Sequence, residues 1–479
     1  MRIKMLKEEC GIMGVLGAKE ASNLVYLGLY ALQHRGQEAC GIVSLNRDEK
    51  SLKYYDHKGF GLVSDVINRS AIDSLKGDLA LGHVRYSTQG GKLLQNTQPF
   101  VFKTPAHGPI GIAHNGNLTN ANDIKADLEK KGSIFTTTSD SEVFIHLLAR
   151  SQKQSLEEKI KDMMGIVRGA YSLVLIAENK MYAIRDRHGF RPLVIGKKDE
   201  SWVVASESCA LDLIDACFVR DVEPGEVVCF KRGEISSFFA KKKLEKRSFC
   251  SFEPIYFSRP DSLVDNQSVY QLRRKMGEIL AQESHVDADI VFAIPDSGVP
   301  VAIGYAEQSK LPMELALVRN HYVGRTFIEP TQQIRDFGVK LKLNPVSHLI
   351  KDKRVIIIDD SLVRGTTSIK IMRMIRQAGA KEIHFRLGCP PITHSCYYGV
   401  ATPKRKNLLA AQKNTHEIKR ILEADSLAFL SQEGLQQALS DVKKQSFCYA
   451  CFNGSYEEPI FTQISKEATD PYGPGVFAC

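Results

Sequence analysis

The chain has 479 residues, more than one hydrophobic core usually serves, so two domains are expected. With 43% apolar and 25% charged residues, the composition excludes wholesale disorder, collagen and a coiled coil. The net charge of +9 suits phosphorylated metabolites at least as well as nucleic acid, and no nucleic-acid-binding signature accompanies it. There is no membrane-spanning apolar run and no signal peptide, so we expect a soluble, cytoplasmic protein without membrane or nucleic-acid partners.

The first half of the chain alternates short strand-like runs with helical stretches, up to a change of character at about 232–250. Helical periodicity is found at 23–33 and 141–149. This mixture predicts sheets covered by helices, an α+β domain, followed by an exposed boundary at the three lysines 241–243. The strand-like runs are 171–177, 181–185, 202–206 and 226–230.

The second half alternates strands and helices in the order typical of a parallel α/β sheet. Buried strands are predicted at 290–294, 355–358 and 383–387, with a helix beginning near Val301. A second helix has apolar positions at Ile369, Met372 and Ile375 and should end at Gly379. Such a sheet binds ligands at the carboxyl ends of its strands.

The strongest local signal is the segment 354–368, RVIIIDDSLVRGTTS. A buried strand ends in two carboxylates, Asp359 and Asp360, and a turn with Gly365 then opens a helix with hydroxyl side chains. Hydroxyls and unpaired N–H groups at a helix start can bind a phosphate, and the acids can accept from ribose hydroxyls and help to hold Mg²⁺. The alternative is an ordinary acidic cap on a βα turn.

This segment resembles the 5-phosphoribosyl-1-pyrophosphate (PRPP) motif of type I phosphoribosyltransferases. The resemblance implies Mg²⁺ as a cofactor, held by Ser297, Asp359 and Asp360. It also implies a flexible loop from Arg319 to about Asn344 that closes over PRPP. The PRPP-binding residues that it implies are Asp359, Asp360, Ser361, Arg364, Gly365, Thr366, Thr367 and Ser368.

Cys10 is the candidate nucleophile of the first half. A lone cysteine is more often a small buried apolar residue. Four segments that follow Cys10, however, resemble in order and spacing the N-terminal-nucleophile glutaminase domain of glutamine amidotransferases. They are 33–37 (QHRGQ), 82–88 (GHVRYST), 114–118 (HNGNL) and 138–142 (TSDSE).

Together the two halves resemble the amidophosphoribosyltransferase family. The resemblance implies a propeptide at 1–9, a glutaminase domain of αββα layers at 10–240 and a phosphoribosyltransferase domain with a C-terminal cluster-binding segment at 250–470. It implies that ammonia from glutamine displaces pyrophosphate from PRPP. The product is 5-phosphoribosylamine, the first committed intermediate of purine biosynthesis. It also implies a homotetramer inhibited by AMP, ADP and GMP.

The resemblance assigns roles within the glutaminase domain. Removal of residues 1–9 would free the α-amine of Cys10 as a base beside its own thiol. Asn115 and the Gly116 N–H would form the oxyanion hole. The glutamine-binding residues would be Arg35, Arg85 and Asp140, and the ammonia channel and its loop would include Tyr86, Tyr322, Arg325 and Ile328.

Four of the eleven cysteines form a candidate cluster site: Cys250, Cys396, Cys448 and Cys451. Their contexts resemble the iron–sulfur branch of the family, which implies a [4Fe–4S] cofactor with a structural or oxygen-sensing role. Four thiolates also suit zinc, and spacing alone leaves both metals open. Cys389 is the main competing ligand, although a buried thiol at a strand end is the better interpretation.

Two alternative functions remain at this stage, and one segment departs from the family pattern. An amidotransferase that makes glucosamine-6-phosphate or asparagine would share the first half, but the segment 359–368 argues against it. A PRPP-fold regulator without turnover would have no use for Cys10 and its glutamine pocket. Many family members read Lys-Asn-Arg-Tyr where this chain has RNHY at 319–322, which concerns loop closure and nucleotide inhibition.

Overall fold

The computed structural model describes residues 10–48, 51–86, 93–105, 107–241, 244, 247–320, 342–440, 442 and 446–458. Within these ranges, no helix combines the length and the apolar character that crossing a bilayer requires. The propeptide predicted at 1–9 lies outside them. The two halves of the chain form separate sheets, which meet across a shared interface.

Two antiparallel sheets form the first half. Their strands are β1 (Gly11–Leu16), β2 (Ala39–Asp48), β3 (Ser51–Phe60), β4 (Leu79–Arg85), β5 (Phe100–Thr104), β6 (Gly108–Leu118), β7 (Gly169–Ala177), β8 (Lys180–Arg185), β9 (Val194–Lys198), β10 (Ser201–Ala205), β11 (Cys217–Asp221), β12 (Glu226–Lys231) and β13 (Glu234–Phe239). One sheet has the order β11-β9-β10-β1-β4-β2-β3, and the other has the order β13-β12-β8-β7-β6-β5.

The sheets lie face to face between two layers of helices. Ile12 and Leu81 of the first sheet meet Val174 and Ile176 of the second in a shared core. Two further cores bury the outer faces under helices. The αββα arrangement is therefore confirmed. The helices are α1 (Ala21–Ala31), α2 (Val63–Val66), α3 (Arg69–Ser74), α4 (Ala121–Lys130), α5 (Glu142–Arg150), α6 (Leu156–Ile166) and α7 (Cys209–Asp212).

The second half is built on a parallel sheet, as predicted. The strands of the whole second half are β14 (Phe249–Cys250), β15 (Leu263–Val264), β16 (Gln267–Ser268), β17 (Ile290–Ala293), β18 (Leu317–Arg319), β19 (Leu343–Pro345), β20 (Arg354–Asp359), β21 (Glu382–Leu387), β22 (Ser426–Phe429) and β23 (Phe447–Cys448). The parallel sheet has the order β17-β20-β21-β22, and β14 pairs with β23. Alternate residues of β20 enter two cores, Ile356 on one face and Ile357 on the other.

Helices cover both faces of the parallel sheet. The predicted end of the second helix is confirmed, because α11 stops at Gln377 and Gly379 follows with φ +96°. The helices are α8 (Val269–Glu283), α9 (Val299–Ser309), α10 (Ser347–Ile350), α11 (Thr366–Gln377), α12 (Leu409–Gln412), α13 (Thr415–Leu422), α14 (Gln432–Ala438) and α15 (Ala450–Asn453), with a π-helical turn at Glu253–Phe257 before α8.

The interface between the halves contains a shared apolar cluster. Ala170 and Phe190 of the first half share one buried cluster with Phe249 and Tyr398 of the second. The rings of Phe190 and Tyr398 stack with their centroids 4.0 Å apart. A shared core of this kind holds the two halves in a fixed relation, so contacts across the interface can position residues of either site.

Candidate active sites

Cys10 immediately precedes β1 and is buried, with 7% of its surface exposed. Since β1 pairs with β4 and Gly11 faces Val84, Cys10 lies beside the end of β4. Its thiol donates to the carbonyl oxygen of Tyr86 at 3.7 Å. The predicted nucleophile is thus held at the rim of a sheet, next to the predicted glutamine-binding residue Arg85.

Asn115 and Gly116, the predicted oxyanion hole, stand on β6. Asn115 is 1% exposed, and its Nδ2 has no hydrogen-bond partner among the described residues. Gly116 has φ +147°, and a Cβ there would lie 2.1 Å from the Ala170 carbonyl oxygen, so only glycine fits. A buried amide without a partner is rare in a folded protein and suits a donor kept for a ligand.

Arg85 and Asp140 are both buried, and the charges of the nucleophile and of Asp140 both act on the Arg85 guanidinium. Burial lowers the pKa of Arg85, while the nearby charges of Cys10, Glu38 and Asp140 oppose that shift. The guanidinium is therefore within electrostatic reach of both the thiol and the Asp140 carboxylate. Asp140 accepts from the Leu118 N–H at 3.0 Å, which fixes it against the end of β6. A cation and an anion beside a thiol match the two charged groups of an amino acid.

Arg35 lies behind the nucleophile with its guanidinium engaged by protein groups. Its Nε donates to the Cys10 carbonyl oxygen at 3.1 Å, and the side chain is completely buried. Its Nη atoms contact Glu207 at 2.5 Å and Glu253 at 2.7 Å. The predicted role of Arg35 in binding glutamine stays a prediction. Its observed contacts fix the backbone of the nucleophile.

The partners of Arg35 form a buried ionic network that the sequence did not indicate. Glu253, from the π-helical turn at the start of the second half, also contacts Arg191 at 3.3 Å. Burial alone would raise the pKa of Glu207, but His34 and Arg35 hold it well below its usual value. Ion pairs in such surroundings are stable only when every charge is matched. These four side chains (Arg35, Arg191, Glu207 and Glu253) are called the junction network below.

The two acids of the predicted PRPP loop lie at the carboxyl end of β20. Asp360 is 4% exposed and accepts from the Ser361 hydroxyl at 2.7 Å, and Ser297 also hydrogen-bonds to it. Burial and the charge of Asp360 raise the pKa of Asp359, and burial also raises that of Asp360. The Oδ2 of Asp360 has no hydrogen-bond partner among the described residues. Adjacent carboxylates in this state are suited to hold a cation.

The predicted phosphate cradle follows at the start of α11. Gly365 has φ +75°, and a Cβ there would lie 2.7 Å from Leu409, so this glycine lets the chain turn from strand to helix. Thr366, Thr367 and Ser368 form the first turn of α11, where backbone N–H groups have no intrahelical partners. The Nε of Arg364 is buried without a hydrogen-bond partner among the described residues, and burial lowers its pKa. An anionic ligand would satisfy both features.

The remaining channel and loop residues are only partly within the described ranges. Tyr86 is buried at the end of β4. Tyr322, Arg325 and Ile328 lie outside the described residues. The two described ends of the predicted loop come together as an antiparallel pair, β18 with β19, and Arg319 forms an ion pair with Asp296.

The four predicted cluster cysteines converge. Cys250 and Cys448 face each other across the β14–β23 pair, and all four thiols line one cavity together with Phe190, Arg191, Phe252 and Ile392. Cys389 does not line it. Burial raises the pKa of Cys448 to about 12 and also raises that of Cys451. No group of three or more metal-ligating side chains within the described ranges is close enough to hold a metal ion as it stands.

Comparisons with known proteins match both halves. The glutamine amidotransferase domain family matches residues 83–213, and the phosphoribosyl transferase domain family matches residues 261–389. Among curated proteins, the chain is 52% identical to amidophosphoribosyltransferase 1, chloroplastic, from Arabidopsis thaliana, over 97% of this chain and 81% of that protein. It is 45% identical to amidophosphoribosyltransferase from Bacillus subtilis, over 96% of each chain.

The fold is also similar to a solved structure, that of glutamine PRPP amidotransferase from B. subtilis complexed with ADP and GMP. The TM-score is 0.89 at 44% identity, covering 94% of this chain and 98% of the other. Sequence and fold therefore agree over nearly the whole length.

Proposed function

Because the chain belongs to the amidophosphoribosyltransferase family, we propose how its two sites divide the reaction of that family. The enzyme makes 5-phosphoribosylamine from PRPP with nitrogen from glutamine, in purine biosynthesis. A regulator without turnover is not favoured, and the phosphoribosyl transferase match argues against a sugar or asparagine amidotransferase. The buried position of Cys10 beside the end of β4, the strand whose last residue is Arg85, carries the proposal for the first site.

In the first site, Cys10 is the nucleophile and glutamine is bound by its two charged groups. Arg85 holds the α-carboxylate and Asp140 the α-ammonium of glutamine. The α-amine of Cys10, freed by removal of residues 1–9, takes the thiol proton. The S–C bond forms first and places a negative charge on the amide oxygen. The C–N bond then breaks as the α-amine passes its proton to the departing nitrogen, so that ammonia leaves, and water hydrolyses the thioester to glutamate and the free thiol. Asn115 Nδ2 and the Gly116 N–H stabilise the oxyanion.

In the second site, ammonia attacks C1 of PRPP and the C1–O bond to pyrophosphate breaks. The first turn of α11 binds the 5-phosphate, and Ser361 and Arg364 lie at its entrance. Asp359, Asp360 and Ser297 are suited to hold Mg²⁺, because the Asp360 oxygen without a partner is a ready ligand. Mg²⁺ would supply neutralisation of the pyrophosphate charge.

We propose a [4Fe–4S] cluster for the four cysteines. A cavity lined by four thiols and mostly apolar groups has the donor set that this cluster requires. Raised thiol pKa values show that burial disfavours thiolates there unless a metal compensates their charge. The cluster would serve as a structural or oxygen-sensing group that joins β14, β23 and the segment of Cys396.

The remaining parts of the proposal are those that membership of the family implies. The residues Tyr86, Tyr322, Arg325 and Ile328 would belong to the ammonia channel and its closing loop. We propose a homotetramer, inhibition by AMP, ADP and GMP, and a cytoplasmic location. The B. subtilis neighbour, which was solved with ADP and GMP, supports nucleotide inhibition. The domain bounds 10–240 and 250–470 remain proposals.

The decisive experiment follows the amide nitrogen. With ¹⁵N-amide glutamine and PRPP, the enzyme should release glutamate and place the label on the pentose amine. Label that appears only as free ammonium would contradict the coupling of the two sites. Intact-mass analysis of active enzyme should give an N-terminus at Cys10, and activity in a preparation that retains Met1 would contradict the free-amine base.

The cluster has its own test. Anaerobically purified enzyme should contain about four irons and four sulfides per chain and absorb visible light. Cys396→Ser should lose this iron, whereas Cys389→Ser, seven residues earlier, should keep it because Cys389 does not line the cavity. Zinc in place of iron in fully active enzyme would contradict the proposal.

A further inference from the structure

A short segment of the second half, Tyr397–Gly399, lies directly against the strand that carries the oxyanion hole. Gly399 has φ +103°, and a Cβ there would lie 3.2 Å from the Cα and carbonyl carbon of Gly116. The Asn117 Nδ2 donates to the Tyr397 carbonyl oxygen at 3.0 Å. The backbone of the second half therefore contacts both Gly116 and the next residue, Asn117.

The segment is fixed firmly to the first half. Arg191 donates to the Tyr398 carbonyl oxygen through Nε at 2.8 Å and through Nη2 at 2.6 Å. Asn117, Arg191 and Tyr398 are each no more than 2% exposed. Buried hydrogen bonds of this kind are costly to break, because water cannot replace the lost partner.

A second backbone group also lies against Gly116. The Ala170 carbonyl oxygen on β7 would lie 2.1 Å from a Cβ at Gly116. The start of β7 is itself bound by the second half, since the Glu458 carboxylate accepts from the Gly169 N–H at 2.9 Å. Gly116 is thus packed against both β7 and Gly399, and this packing limits how far its backbone can move.

We propose that Tyr397–Gly399 is a positioning element for the oxyanion hole, so that the chemical step of glutamine hydrolysis depends on a backbone segment of the phosphoribosyltransferase half. The proposal rests on the oxyanion role proposed above for Asn115 and Gly116. A donor must point at the developing oxyanion to within a few tenths of an ångström, and a misplacement of about 1 Å can cost about 100-fold in rate. Contact with Gly399 and the Asn117 bond supply this constraint.

The first test removes the Asn117 bond. In Asn117→Ala, kcat for glutamine hydrolysis with saturating PRPP should fall about 10-fold while KM for glutamine stays within about twofold. Synthesis with ammonia and the iron content should be unchanged. The control is Asn120→Ala, which removes two hydrogen bonds within the first half, one to the Ile166 carbonyl oxygen and one from the Arg168 N–H. It should leave kcat within about twofold.

The second test perturbs the contact from the other side. Gly399→Ala should lower kcat for glutamine hydrolysis at least as much as Asn117→Ala, because its methyl group would press on Gly116 and on the Arg191 Nε that holds the segment. The control is Gly132→Ala, which has a similar left-handed φ of +84° but nothing within 4 Å of the new Cβ. It carries the same backbone cost without the contact, so glutamine hydrolysis should be retained.

Asn115→Ala tests the proposed oxyanion role of Asn115 separately from the positioning role of Tyr397–Gly399. It should lower kcat by about 100-fold or more. An unchanged kcat in Asn115→Ala would refute the oxyanion assignment, and the inference would fail with it. If Asn115→Ala is impaired but Asn117→Ala keeps its kcat within twofold, the assignment stands and the positioning role is refuted. An equal loss of ammonia-dependent synthesis in Asn117→Ala would show general damage and would also refute it.

Discussion

The two active sites of this chain balance their charges in different ways. Around Cys10, the charged side chains are matched within the protein, since Arg35 and Arg191 face Glu207 and Glu253. In the second site, Asp359 and Asp360 lie side by side with raised pKa values. The protein offers them no salt bridge within the described residues, although Arg273 is near enough to lower the pKa of Asp360.

The difference follows from what each site binds. Glutamine has no net charge, so a site for it can be electrically complete before the substrate arrives. PRPP is highly anionic and comes with a cation, so its site can leave two carboxylates to be compensated by the ligand. The first site should therefore respond to mutation mainly through its protein network. The second should respond through its affinity for metal and phosphate.

The sharpest division between the sites is expected from Cys10→Ala. Removal of the only proposed nucleophile should lower glutamine-dependent synthesis by at least about 1,000-fold. Synthesis from high concentrations of ammonium should stay within about twofold of wild type, because the second half is unchanged. The measurement is phosphoribosylamine formation with each nitrogen source. Loss of both activities would mean that the sites are not separable.

Asp360→Asn tests the second site, on which synthesis from both nitrogen sources depends. Replacing one carboxylate should lower synthesis from both glutamine and ammonium by about 100-fold and should weaken Mg²⁺ binding measured by calorimetry. The control is Asp289→Asn. Asp289 lies at the amino ends of the same parallel strands, away from Asp360, and is bonded to Arg354. This variant should keep both activities. An Asp360→Asn enzyme impaired only with glutamine would contradict the assignment.

The contrast between the sites also marks what the sequence could predict. The PRPP loop is one continuous segment, so its strand, acids, glycine and helix were all visible in order. The conformation of Gly365 and the first turn of α11 lie where the segment predicted them. The helix-covered sheets of the first half and the parallel sheet of the second were likewise predicted from local periodicity, with strand bounds shifted by one or two residues, whereas the αββα layering was implied by the family resemblance.

The junction network could not be predicted in this way. Arg35 meets Glu207 and Glu253, which are 172 and 218 residues further along the chain. In the sequence, Glu207 and Glu253 resemble ordinary surface charges, and only tertiary folding shows that they are buried together with Arg35. The contact of Gly399 with Gly116 is of the same kind, because an isolated glycine predicts a turn but not the partner against which that turn packs.

Glu253→Gln tests whether the first site's charge balance is built into the fold. The change leaves Arg35 and Arg191 buried with too little negative charge, so the free energy of unfolding should fall by about 3 kcal/mol. Denaturant unfolding of the first half can be followed by the fluorescence of Trp202, the single tryptophan. The control is Asp261→Asn, which breaks the half-exposed pair with Arg259 and should cost less than about 1 kcal/mol. Equal effects would show that burial of the network adds nothing.

The smallest effect is expected on the pH dependence of stability, from replacing the buried His83. This change tests whether the first site excludes a charge that has no partner. Its Nε2 donates to the His114 carbonyl oxygen at 3.1 Å, and burial lowers its pKa to about 3 from 6.5. Between these values the unfolded chain binds a proton that the folded protein does not. Stability should therefore fall as the pH drops from about 6.5 towards 3, by up to about 1.4 kcal/mol per unit.

In His83→Gln that proton is absent from both states, so the variant should lose about 2 kcal/mol less than wild type between pH 7 and pH 5. His285→Gln is the matched control, because this ring is 59% exposed, and its curve should follow wild type. Parallel curves for His83→Gln and wild type would mean that the folded protein accepts the proton at His83. The first site would then accept a buried charge that no protein group compensates, and the electrostatic distinction between the two sites would be lost.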